Sequence, residues 1–235
     1  MAEIVVAREV GTVRATRKES KLPTQITLGD EQRAVNALAD FFSSEVQPRM
    51  RDLRSCVMAA RLATKSLDRI GIPNQFSHVD ATCLNDEWLH HAQLGTPAEE
   101  VPLTAWSISV WSNHDLVFRS SGNYDPNGFS GHLIVETENF MIDLSAQQFD
   151  RPQHEIITGG PLVVPLSDLT VVRQGFVLNE TWSVPIELGH YWFNDAVLPT
   201  RPSNSNDWRY GYRDFLPDCV KAMRRAMYSE PLTVE

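Results

Sequence analysis

Apolar residues recur every three or four positions in the first third of the chain, every second position through its middle, and every three or four again near its end. That change of period separates helices from strands. The run 29–46, GDEQRAVNALADFFSSEV, puts Val35, Leu38, Phe41 and Phe42 on one face of a helix that Asp30 can cap. A linker with Pro48 and several arginines leads to SCVMAARLATKSLDRIGIP at 55–73. There Cys56, Ala60, Ala63, Leu67 and Ile70 form a stripe at alternating spacings of four and three, with Arg54, Arg61, Lys65 and Asp68 on the other side. Gly71 suits the position just past the helix end, and Pro73 forbids continuation.

Beyond Pro73 the period is two. NQFSHVDATCL (74–84), LTAWSISVWS (103–112), HDLVFRS (114–120), GHLIVET (131–137) and NFMIDLS (139–145) each read as a strand, with turn formers such as SGNYDPNG between them. GPLVVPL (160–166) and TWSVPIELGHYWFN (181–194) read as further strands. RDFLPDCVKAMRRAMYS (213–229) closes the chain with an amphipathic helix that puts Phe215, Cys219, Met223 and Met227 on one face. PTRPSNSNDW (199–208) reads as a loop. Helices followed by an antiparallel meander predict one α+β domain over 29–235, preceded by an N-terminal arm over 1–28 that carries Arg14, Arg17, Lys18 and Lys21.

Charge narrows the partners. A net charge of −9 argues against nucleic acid or an anionic membrane surface, since both need a cationic face. No apolar run has the length of a membrane span, and the first residues do not read as a secretory leader. Three widely spaced cysteines, Cys56, Cys83 and Cys219, form neither a disulfide framework nor a zinc motif. The expectation is a cytoplasmic protein, although an effector exported by other means has the same features. His90 and His91 beside Glu87 diverge by ~100° on a helix and have no third ligand at usable spacing, so a solvated loop and no metal are expected there. His78 and Cys83, five apart on one strand, face opposite sides. No cofactor is expected.

The candidate chemistry lies in two stretches. In GHLIVETENFMIDLS, a hairpin centred between Thr137 and Glu138 pairs Val135 with Phe140 and sets His132 directly opposite Asp143, their Cβ atoms roughly 4.5–5.5 Å apart. The carboxylate would hold one ring nitrogen and leave the other free; a slip of one residue would separate them. Cys56 at a helix start is favoured as a thiolate by the helix dipole and by a nearby imidazolium. Cys56, His132 and Asp143 thus match a nucleophile, a base and its orienter for attack on an amide carbonyl. The Cys56 amide and the Gln47 side chain are candidate oxyanion donors. Ser145 and Gln148 are candidates for steadying the triad; Gln147 lies beside them. Taken singly, Cys56 reads as a small buried hydrophobe, His132 as a satisfied strand histidine and Asp143 as a strand-end cap. The aromatic residues Trp182, Tyr191, Trp192 and Trp208 read as core filling or a groove wall, and SGNYDPNGFSG as a hairpin turn or a loop at the site mouth.

The residues Cys56, Ala60, Leu67 and Gly71-Ile72-Pro73 resemble the nucleophile helix of the transglutaminase-like superfamily of papain-fold cysteine enzymes. His132, Val135 and Glu136, followed by IDLS, resemble its histidine and aspartate strands, in the same Cys, His, Asp order. The resemblance spans about residues 54–146 and implies a nucleophile helix packed on an antiparallel sheet. It departs from the superfamily where Leu133-Ile134 replace the usual Ala-Trp and where the His132–Asp143 hairpin is tighter. Its members imply a hydrolase of amide bonds in a peptide or protein, with an amine-accepting transglutaminase as one alternative. An inactive module that uses the aromatic C-terminal region to bind a protein is another.

Overall fold

The computed structural model describes residues 26–49, 56–110, 131–172, 181–195 and 211–229. Most of the N-terminal arm, the strand expected over 114–120, the glycine-rich segment before Gly131, Arg54, and the 199–208 loop with Trp208 lie outside these residues.

Helix α1 (Leu28–Phe41) starts one residue earlier than the hydrophobic pattern suggests, because Thr27 is its cap. The Thr27 hydroxyl accepts from the Asp30 amide at 3.1 Å, and the Asp30 carboxylate accepts from the Thr27 amide at 3.1 Å. Asp30 is therefore the third helical residue of a capping box and not the cap. The α geometry ends at Phe41; a π turn (Phe42–Val46) completes the segment expected to be α-helical throughout, and a 3-10 turn (Gln47–Arg49) opens the expected linker.

Helix α2 (Cys56–Ile70) ends where Gly71 and Pro73 predict. Gly71 at φ 85° ends it, with Ile72 N–H donating to the Leu67 carbonyl at 3.1 Å and Gly71 N–H to that of Asp68 at 3.3 Å. Both bonds satisfy carbonyls that the helix end would leave unpaired, and the left-handed turn suits a residue without Cβ. The helix buries more than its stripe: Val57, Met58, Ala59, Leu62 and Ser66 are buried too, and Lys65, Asp68 and Arg69 are exposed. It is covered on its outer side by the C-terminal helix, here α4 (Leu216–Tyr228), where Ser66 donates to the Cys219 sulfur at 3.3 Å. Cys219, Met223 and Met227 are buried, as their spacing predicts.

Strand β1 (Asn74–Leu84) is the centre of the sheet. Its first half pairs with β3 (His132–Thr137) and its second half with β2 (Ser107–Val110), while β8 (His190–Asp195) runs along its other edge. The path continues outward through β4 (Phe140–Asp143) and β5 (Leu162–Pro165) on one side, and β7 (Thr181–Pro185) and β6 (Thr170–Val172) on the other. Every pairing is antiparallel. The architecture is α+β, as the order of periods predicts.

Two cores lie on the two faces of this sheet. Leu133, Val135, Phe140 and Ile142 join α1, α2 and α4 in one. Ile134, Met141, Val79, Cys83, Tyr191, Phe193 and Phe149 form the other. Between β2's preceding loop and β1 is α3 (Asp86–Leu94), where a solvated loop was expected. Asn85 caps it, accepting from Trp88 N–H at 3.0 Å, and Gly95 ends it at φ 67°. His90 is exposed on this helix, and His91 Nδ1 bonds the Thr96 hydroxyl at 3.1 Å. Among the described residues no cluster of three or more His, Cys, Asp or Glu is placed to hold a metal ion, and no helix is long and apolar enough to cross a membrane.

Candidate active site

The β3–β4 hairpin has a register different from the expected one. Val135 pairs with Ile142 and Glu136 with Met141, so the turn is Glu138-Asn139 and Asp143 lies across from Ile134. His132 and Asp143 are therefore diagonal neighbours, not opposed ones. The displacement is two residues, and strand side chains alternate with period two, so both remain on one face. Diagonal positions are within reach of long and aromatic side chains. His132 Nε2 and Asp143 Oδ2 are 2.7 Å apart. The turn is drawn to its tighter form by Thr137, whose hydroxyl accepts from Phe140 N–H at 3.0 Å. Asn139 is fixed by donating to Glu31 of α1 at 2.7 Å.

The face is also not the expected one. The stripe of α2 rests on the side of the sheet that carries Leu133 and Val135, and the His–Asp pair lies on the other, with Ile134 and Met141. Cys56 still lies near the imidazole, being in the first described turn of α2 while His132 is the first residue of β3. Its thiol lies close enough to the ring to favour the charged form of His132.

Asp143 is held from four directions. Oδ2 accepts from His132 and from the Tyr191 hydroxyl at 3.0 Å; Oδ1 accepts from the Ser145 amide at 2.9 Å and the Ser145 hydroxyl at 3.1 Å. A flat sheet would separate β4 from β8 by three strand spacings, roughly 14 Å. The Tyr191–Asp143 bond is made because the sheet curls around this face. Phe149 stacks edge-on against both His132 and Tyr191, at centroid distances of 5.3 and 5.8 Å, which fixes the ring planes.

These contacts set the charges. Burial alone would push the Asp143 carboxyl up, but His132, Ser145 and Tyr191 outweigh it and hold the acid below its usual range. Burial likewise opposes a charge on His132, and Asp143 together with Cys56 overrides it, so its pKa is pushed up to about 10. Burial dominates at the other two thiols. Burial, and next the Asp143 charge, pushes Cys83 well above the ordinary thiol range; burial pushes Cys219 up to about 11 against a smaller opposing effect from Ser66. Both therefore stay protonated at neutral pH, and neither has the imidazole contact that Cys56 has.

Gln148 takes the remaining ring nitrogen, its side-chain nitrogen 2.7 Å from His132 Nδ1. Ser145 acts on Asp143, so both residues singled out beside the triad touch it directly. Gln47 does not join them: it is half-buried in the 3-10 turn after α1, and among the described residues no hydrogen bond links its side chain to Cys56 or His132. Tyr191 and Phe149 were not singled out as site residues. The alternation of HYWFN puts Tyr191 on an inward face, but nothing local says that β8 is two strands from β3. No family model matches the chain, and no curated protein or solved structure is significantly similar to it.

Proposed function

We propose that the chain is a papain-like α+β thiol enzyme that hydrolyses amide bonds in a peptide or protein substrate, with Cys56 as nucleophile, His132 as base and acid, and Asp143 as the group that orients the ring. One observation carries the reading: a buried His132–Asp143 pair at 2.7 Å whose charged form the nearby Cys56 thiol also favours. In this mechanism the Cys56 proton passes to His132 before substrate binds, the pair stands as thiolate and imidazolium, and the Cys56 thiolate attacks the carbonyl carbon. His132 then protonates the leaving nitrogen, the C–N bond breaks, and water releases the thioester as a carboxylate while restoring the thiol. Asp143 keeps the ring proton on Nε2 in the neutral form and stabilises the cation in the charged one. The amide of Cys56 is the proposed oxyanion donor. Three free cysteines fit a reducing compartment such as the cytoplasm.

A second reading, an inactive module of the same fold, draws on the complete burial of His132 and the bonding of both its ring nitrogens. Alkylation by iodoacetamide, read cysteine by cysteine in a mass spectrometer, separates the two. The enzyme reading expects Cys56 to react ahead of Cys83 and Cys219 below the pH at which an ordinary thiol ionises, and His132→Ala to remove that preference. A Cys56 rate no higher than those of the other two cysteines at any pH overturns it.

A further inference from the structure

His132 is fully buried, and each of its ring nitrogens has a partner at 2.7 Å. The partners differ in kind. Asp143 is 1% exposed and pinned by Ser145 and Tyr191. Gln148 is half-buried, and it is on Nδ1, the nitrogen left for the thiol once Nε2 belongs to Asp143.

A leaving nitrogen must come within about 2.6–3.2 Å of the group that protonates it. The side-chain nitrogen of Gln148 is already at that distance from Nδ1. With the ring proton on Nε2, the Gln148 NH₂ donates to the Nδ1 lone pair; with the ring charged, the amide turned over offers its oxygen to Nδ1–H. In both states Gln148 takes the nitrogen that Cys56 and a substrate amide require. Its backbone is fixed, since Gln148 N–H donates to the Ser145 carbonyl at 3.0 Å and Arg151 donates to the Gln148 carbonyl at 3.2 Å. Only the side chain has to swing to free Nδ1.

We propose that Gln148 gates the site: its carboxamide fills the position that the leaving nitrogen of a substrate amide must take, and the incoming carboxamide has to displace it. The inference rests on the thiol-enzyme reading above. No covalent bond changes in the displacement; one amide hydrogen bond to Nδ1 is exchanged for another. Gln148 is on this view a positioning residue, which selects for ligands that offer a neutral carboxamide in exchange.

The probe is iodoacetamide, with Cys56 alkylation followed in the unmodified protein, in Gln148→Ala and in Gln148→Glu. Gln148→Ala should speed the reaction by roughly fivefold to tenfold, the scale of one neutral hydrogen bond released. Gln148→Glu should slow it, because a carboxylate at Nδ1 holds the ring proton more firmly and repels the thiolate. Simple loosening of the site would move both variants in the same direction, and that result overturns the gate. Unchanged rates in Gln148→Ala, with Cys56 still the preferred cysteine, overturn the gate and leave the thiol reading standing. Loss of the Cys56 preference in all three proteins overturns both. Cys83 and Cys219, fully buried, report folding through their own slow labelling. Should Gln148→Ala expose them, the comparison of Gln148→Glu with the unmodified protein decides, and an absence of slowing there overturns the proposal.

Discussion

The Tyr191 hydroxyl and the His132 ring share a single oxygen of Asp143, Oδ2, at 3.0 and 2.7 Å. A hydrogen bond to a charged, buried acceptor contributes about 1.5–3 kcal/mol, and removing the donor leaves the acceptor under-satisfied. Tyr191→Phe should therefore lower the unfolding free energy by about that amount in urea titrations. An unchanged midpoint and slope would show that the bond contributes nothing net.

The same cluster gives stability a definite pH profile. Asp143 is held below 3.8 in the folded protein, so its contribution is present above 3.8 and is lost as pH falls through its lowered folded value. His132 is raised from 6.5 to about 10, so its contribution is complete below 6.5 and is lost as pH rises toward 10. Thermal unfolding should thus show highest stability between 3.8 and 6.5 from this pair, with a decline on both sides. Asp143→Asn, which removes the charge that raises His132, should flatten both limbs; limbs as steep as in the unmodified protein would mean that other groups dominate.

Two glycines should respond oppositely to the same change. Gly131, directly before His132, has φ 93°, and a Cβ there would run into the His78 ring. Gly131→Ala should cost on the order of 1–3 kcal/mol through strain at that turn. Gly29 is in the first turn of α1, where a Cβ meets nothing closer than 3.6 Å. Gly29→Ala should stabilise by roughly 0.5–1 kcal/mol. Parallel melting curves check both signs.

The capping box offers a test remote from the site. Thr27→Ala removes the hydroxyl that satisfies the Asp30 amide and should destabilise by ~1 kcal/mol. Cys56 labelling should be unaffected, since no hydrogen bond among the described residues ties α1 to Cys56 or His132; a change in Cys56 rate would point to coupling through the helical layer.

Local pattern revealed the elements whose causes are local. The end of helix α2 is legible to the residue because Ile70, Gly71 and Pro73 act within one turn of each other. β1 was legible because Val79, Ala81 and Cys83 alternate with polar residues along its second half. Thr27 was passed over because Asp30 is equally good capping chemistry, and only the backbone distinguishes the cap from the third helical residue. His90 and His91 looked like a loop because α3 is polar and marked chiefly by its caps, Asn85 and Gly95. The His132–Asp143 contact was legible despite the wrong register, since an error of two residues preserves the face whereas an error of one would have destroyed the site. Tyr191 was not, because its place beside Asp143 depends on sheet order and curl, which involve residues 48 positions apart.

Cys56 belongs to the core beneath the helices, whereas His132 rests against Phe149 of the core on the far side of the sheet. The thiol and the base thus have separate foundations, and their contact exists only while the helical layer is seated on β3. Partial unseating of that layer would part sulfur from imidazole while His132, Asp143, Tyr191 and Ser145 stayed together. Cys56 is in this sense the protein's own gauge of docking between its two halves.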